Sequence, residues 1–391
     1  MTIYKSMKQR FEFWLLVAGA VLLTSMVLAD GEVTNHWPLV RHDLHSSGVA
    51  NSTLNSNVGL QWKYVAEDTG FEATAVVSDG IIYIGDTDTT FYAIRLADGK
   101  SIWKHSFEMA GFAAAAAVQN GQLYVSDYDG LLWCLSTENG HTLWSAQLEA
   151  ESYVGPILYK ESVLVTNDAG ILTSLSIRDG QPKWKYQIDA PLRCAPTIAA
   201  GQALLAGCDG KLHIVDADTG VLSATLPIDG PTGSTPAAHH GRAFFGTEQG
   251  TFYAIVLGTL SETEAHIDWT YHDPQRRQSL RTAAAVDSRL VVYGSQGKMI
   301  YALDPSSGKL RWKVAVKSRI DSSPIIAGNQ VVCATVKGRI YLLDIQTGAT
   351  MWEYDAGGGF VGSPIVVAGQ LILGNTDGTL YCFKSQSPKN H

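Results

Sequence analysis

The sequence predicts an all-β fold: an eight-bladed β-propeller of four-stranded blades. Three observations carry that expectation. Tryptophans recur at Trp62, Trp103, Trp144, Trp184, Trp269, Trp312 and Trp352, with gaps of 41, 41, 40, 85, 43 and 40 residues. Short apolar runs are separated by Gly-containing turn signals, with no helical period among them. The repeat also begins with what reads as a fourth strand and stops after a third. A period of about 40–45 residues is what one propeller blade requires.

The grammar of one unit is clearest near the C-terminus. After Ser363-Pro364 comes a short apolar run, then a turn at Ala368-Gly369-Gln370 and a second strand from Leu371 to Gly374. Asp377-Gly378 supplies a hairpin turn, since Gly tolerates the positive φ such turns need. A third strand, Leu380 to Phe383, follows. In other units a turn of the Asp-x-x-Thr-Gly type leads into a fourth strand ending in Trp, as in Asp344 to Trp352. The gap of 85 spans two periods, with the missing Trp falling near Ala224. Residues 60–384 are therefore expected to form the propeller. Leu60 to Tyr64 is an orphan fourth strand, and pairing it with the last unit would close the ring and remove open sheet edges. A solenoid would not explain that split unit.

Residues 1–29 read as a signal peptide: Lys5, Lys8 and Arg10 precede an apolar stretch from Phe13 to Leu28, with Val27-Leu28-Ala29 as the cleavage site. An uncleaved membrane anchor is the alternative reading, but the apolar stretch is short for a full span. This implies a periplasmic or secreted protein with no transmembrane span in the mature chain. Residues 30–59 form a lead-in and 385–391 a C-terminal tail. The formal net charge of −8 and the absence of a Lys/Arg run argue against nucleic-acid binding.

None of the five cysteines lies in a C-x-x-C pair, so a zinc or thioredoxin motif is not indicated. Cys194 and Cys208 stand symmetrically about the turn at Gly201, a placement compatible with a cross-strand disulfide. Cys134 and Cys382 occupy equivalent third-strand positions and read as buried packing residues. Carboxylates recur at the strand-end turns: Asp86, Asp88, Asp127, Asp129, Asp168, Asp209, Glu248 and Asp377. They would form either a cation-binding rim or, more simply, the Asx turns that such hairpins require. His239-His240 lies beside Gly241 and reads as a pair of exposed turn histidines. The departures from the repeat are the insertion before Trp269 and the irregular segment that follows it. Arg276 and Arg277, in that segment, are candidate partner contacts.

The segment Ala302-Leu303-Asp304-Pro305-Ser306-Ser307-Gly308-Lys309-Leu310-Arg311-Trp312 resembles the tryptophan-docking motif of PQQ-like propellers, with Ser307 in place of Thr. Asp344, Thr347, Gly348 and Trp352 match it again, as do Asp216, Thr219 and Gly220. Trp37 to Asp43, with Gly48 after it, is similar to the lead-in of exported members. The resemblance implies that the seven tryptophans stack between neighbouring blades. It also implies one of two activities. One branch comprises quinoprotein dehydrogenases that hold pyrroloquinoline quinone and Ca²⁺. The other is the non-catalytic BamB branch of outer-membrane protein assembly factors. The dehydrogenase branch carries adjacent cysteines and pocket-building insertions, and this sequence has neither. The expectation is an exported protein-interaction scaffold without a cofactor, with the quinone–calcium dehydrogenase or a small-ligand-binding propeller as the alternative. In the BamB branch a Leu-Arg loop docks a barrel partner. Leu192-Arg193 stands at a similar place here, but Pro231-Thr232-Gly233 replaces the acidic pair, and the lipid-attachment Cys is missing.

Overall fold

The computed structural model describes residues 36–258 and 264–386. The signal peptide at 1–29, part of the insertion before Trp269 and most of the C-terminal tail lie outside the described residues. Every regular element among them is a strand. They form eight antiparallel blades in chain order, and the short strand Val49–Ala50 adds in parallel to the innermost strand of blade 7. The strands of each blade are called A to D from the channel outward. Blade 1, for example, has A at Val76–Ser78, B at Ile81–Gly85, C at Thr90–Arg95 and D at Ser101–Ser106. The expected closure is present: Val58–Val65 is the D strand of blade 8, paired with Thr379–Ser385 from Val58↔Ser385 to Val65↔Thr379.

The sequence pattern explains why each strand takes its place. B strands are apolar and buried on both faces, as in Gln370–Gly374. D strands alternate exposed and half-buried residues, as in Thr350–Asp355, because only one face packs inward. Five of the eight A–B hairpins put two residues in succession at positive φ, as in Asp79-Gly80 (51° and 73°) and Asn120-Gly121 (50° and 77°). That is the tight turn whose twist matches the flanking strands. Each D strand has a bulge just before its Trp position, for example between Ser101 and Trp103. A bulge re-aims the following side chain.

The aimed tryptophans join the blades. Each ring lies on a glycine of the next blade's C–D turn. Trp62 meets Gly99, Trp103 meets Gly140, Trp144 meets Gly180, Trp184 meets Gly220, Trp269 meets Gly308 and Trp312 meets Gly348. A Cβ on any of these glycines would come within 2.5–2.7 Å of the ring. The indole N–H often donates to a carbonyl in the same turn, as from Trp312 to Ile345 O (2.9 Å) and from Trp103 to Thr137 O (2.9 Å). Trp352 meets the closing blade instead, edge-on to Phe383 at 5.3 Å. Blade 4 has Ala224 at this position. The C–D connection of blade 5, where its Trp would dock, is the inserted segment. Leu257 and Ala265 from that connection pack into the same apolar cluster as Ala224. The missing Trp and the insertion are therefore two halves of one replaced junction.

The lead-in runs inside the ring. Trp37 exchanges both backbone hydrogen bonds with Val77 of blade 1. The carbonyls of Pro38, Leu44, His45, Ser47 and Gly48 accept from Val118, Ile198, Ala238, Val286 and Ile326, at 2.7–2.9 Å. Those donors lie in the A strands of blades 2, 4, 5, 6 and 7. Ser52 Oγ then accepts from Gly369 N of blade 8 (2.6 Å). Leu39 packs in one cluster with Ile157 and Leu158 of blade 3. A single segment of 16 residues thus visits the blades in ring order. It satisfies channel-facing N–H groups that an edge strand leaves open. Arg41 is fully buried, and its guanidinium donates to Ala284 O (3.0 Å), Pro324 O (2.7 Å) and Ser323 O (3.4 Å) across the channel.

Candidate functional site

The face opposite the A–B turns is built from the D–A connections and the B–C turns. Each connection ends with a pair of residues at the channel mouth. The first of each pair is buried: Phe71, Phe112, Ser152, Leu192, Thr232, Leu280, Ile320 and Phe360. The second lies toward the opening: Glu72, Ala113, Tyr153, Arg193, Gly233, Arg281, Asp321 and Val361. Extended backbone sends neighbouring side chains to opposite sides, so this one-residue step decides which residue a partner can touch.

Two sequence expectations change at this point. Leu192 is not an exposed contact: it is 1% exposed and packs between blades 3 and 4, because it is the inward member of its pair. Its neighbour Arg193 is exposed and grips Asp168 with both Nε (3.2 Å) and Nη2 (2.9 Å). That hydrogen-bonded contact with Asp168 raises the Arg193 pKa. The bridge between Cys194 and Cys208 is not formed, and both are free thiols. The A–B register of blade 4 pairs Thr197 with Leu204. Continued outward, it sets Cys194 opposite Gly207 and leaves Cys208 one residue out of phase. Cys194 is fully buried, and its thiol is pushed up to about 12 by that burial. Cys208 turns to Thr232 O at 3.6 Å. Cys134 and Cys382 are both fully buried.

Four of the recurrent carboxylates fall into two kinds. Asp86 and Asp127 cap their own turns. Asp86 Oδ1 accepts from the N–H groups of Asp88 and Thr90, and Asp127 Oδ1 from those of Asp129 and Leu131. Asp168 and Glu248 sit one residue further on and pair with the next connection's arginine: Arg193 to Asp168, and Arg281 to Glu248 at 3.2 Å. Arg277 pairs with Asp229 at 2.9 Å, and Arg276 donates to Gly297 O at 3.2 Å. All four arginines are exposed. Sequence reasoning had missed Arg281, Glu248 as its partner, and Tyr153. The signal was available in the alignment of the D–A connections. His239 and His240 also depart from expectation. His239 is half-buried and only His240 is exposed; their rings meet at 4.1 Å, with His240 in a positive-φ turn position. They line a shallow depression on the opposite face with Phe244 and Pro305.

A quinone held with Ca²⁺ would need several oxygen ligands converging on one point. Among the described residues no group of three or more His, Cys, Asp or Glu side chains could hold a metal ion. The mouth carboxylates Asp168, Glu248 and Asp321 each face an arginine. Among the described residues no helix is long and apolar enough to cross a membrane.

Fold, girdle and mouth together define a PQQ-type propeller. A family model described as "Outer membrane protein assembly factor BamB" matches residues 48–255 and 190–389, and the chain belongs to that family. No curated protein matches the sequence. Among solved structures, BamB from Moraxella catarrhalis is similar at a TM-score of 0.73 and 15% identity, covering 84% of this chain and 99% of that one. Quinohemoprotein alcohol dehydrogenase from Comamonas testosteroni is similar at 0.72 and 17% identity, covering 93% and 83%. The computationally designed Ika8 protein is similar at 0.72 and 16% identity, covering 83% and 100%. Identities this low show a shared fold and nothing more.

Proposed function

We propose that this protein is an exported, non-catalytic scaffold that docks a protein partner on its channel-mouth face, in the service of outer-membrane protein assembly. The carrying observation is the lead-in. Its backbone runs inside the ring along the A strands and narrows the axial space left for a ligand. The face that remains is rigid and loop-lined, and rigid loop faces suit protein recognition. Membership of the BamB family supports the same reading. Arg193 is the anchor: an exposed arginine held in place by Asp168 is pre-oriented, which lowers the ordering cost of binding.

A photo-crosslinking residue at position 193 tests this in cells. The expected product is a discrete adduct with an outer-membrane assembly protein, absent when the same residue is placed at Lys100 on the opposite face. Adducts of equal yield from both positions, or from neither, would overturn the reading.

A further inference from the structure

The channel-mouth face is divided by charge. The D–A connections and B–C turns of blades 1 to 3 span 66–75, 86–89, 107–116, 127–130, 148–156 and 167–170. They hold eleven Asp or Glu residues and no Lys or Arg. The corresponding segments of blades 6 and 7 span 272–284, 295–298, 316–324 and 335–338. They hold seven Lys or Arg against two Asp. Blades 2 and 6 stand opposite each other in an eight-membered ring, so the two arcs face each other across the channel. Glu67, Asp68 and Glu108 in the acidic arc are exposed and enter no ion pair among the described residues. The same holds for Arg276, Lys298 and Lys337 in the basic arc. Exposed apolar side chains lie on the same face: Met109 is 77% exposed, Val361 40% and Tyr153 40%.

A disc with opposite charges at the two ends of one diameter is complementary to itself. A second copy, turned over about a two-fold axis in the plane of the face and perpendicular to that diameter, sets acidic arc on basic arc twice. The two contacts are identical by symmetry, as in any isologous interface. We infer that the mouth face docks a second copy of this chain, face to face. Met109, Tyr153 and Val361 would be covered in the process. The charges set the register, and like-charged arcs disfavour the other rotations. This inference is independent of the scaffold reading. Where both hold, self-docking covers Arg193, so self-association and partner docking exclude each other.

The test is the mass of the purified chain, by light scattering or sedimentation, at about 20 mM and about 500 mM salt. The Debye length falls from roughly 20 Å to roughly 4 Å between those conditions. A dimer at low salt that dissociates at high salt is expected. Two exposed-loop variants sharpen the result: an acidic-arc reversal, E67K with D68K, D88K, E108K, D129K and E151K, which takes that arc from −11 to +1, and a basic-arc reversal, R276E with K298E and K337E, which takes the other from +5 to −1. Each alone is expected to weaken self-association at least tenfold, because it spoils both symmetric contacts. Mixed one to one, they are expected to recover a dimer, since each reversed arc then meets its complement. A monomer at low salt and about 100 µM chain would overturn the inference; specific interfaces reach micromolar affinity or better. So would a dimer indifferent to salt, or variants that stay apart when mixed. Recovery on mixing also shows that both variants are folded, and failure here leaves the position-193 crosslink untouched.

Discussion

The rim and the axis of this propeller hold the same eight blades together by opposite means. At the rim one device is repeated: a bulge, a tryptophan and a glycine of the next blade. At the axis the same kind of backbone contact is made blade after blade, but by one segment with no repeated unit of its own. A single 16-residue segment meets the blades one after another, each through different residues, and pins itself with a buried arginine. A repeated device can lose one copy locally, and blade 4 has done so, with Ala224 and the inserted connection of blade 5 filling the vacated junction. The axial segment has no second copy, so damage there should be felt by several blades at once.

Arg41→Ala should therefore be the most damaging single change. It strands the carbonyls of Ala284, Pro324 and Ser323 and opens a cavity at the axis. A loss of about 4 kcal/mol is expected from chemical denaturation. A loss under about 1 kcal/mol would break the contrast between axis and rim. Trp312→Ala removes a nearly buried ring and its hydrogen bond to Ile345, and should cost about 3 kcal/mol. The same change at Trp62, a half-buried ring, should cost less. Gly308→Ala comes next, at about 2 kcal/mol, because φ is +67° and the new methyl would lie 2.6 Å from the Trp269 ring. Ala224→Gly, at the junction without a Trp, should cost clearly less than Gly308→Ala in the same assay.

The smallest effect concerns pH. Burial, with His240 nearby, lowers the pKa of His239 below its ordinary value. Asp287 and Asp43 oppose that shift, and His45 adds to it. The unfolded chain then binds a proton more readily than the folded one below about pH 6.5, so stability falls as pH drops through that window. His239→Asn should flatten part of the fall between about pH 7 and pH 5. A thermal-melt series across that range checks it, and an unchanged slope would remove His239 from the account.

Much of the rim was legible in the sequence because it is periodic. The spacing of Trp62 to Trp352 gives the blade count, and the orphan strand at Leu60 to Tyr64 gives the closure. The axis was not legible, because a segment that occurs once has no period to detect. Trp37, Arg41 and Gly48 could be matched to a family lead-in, but nothing in their spacing said that they lie inside the ring. The mouth was half legible. Leu192-Arg193 was found as a unit, yet the backbone alternation that buries Leu192 and presents Arg193 is a single-residue matter. An error of one residue reverses it. The same one-residue step separates Asp127, which caps its own turn, from Asp168, which holds an arginine.

The central claim is that the channel belongs to the chain itself and that the protein works through its mouth face. The most direct test is a titration with pyrroloquinoline quinone and Ca²⁺, followed by the fluorescence of the girdle tryptophans. The account predicts no saturable quenching up to about 1 mM quinone, a range that covers affinities weaker by three decades than a micromolar site. Saturable quenching at micromolar quinone would contradict it.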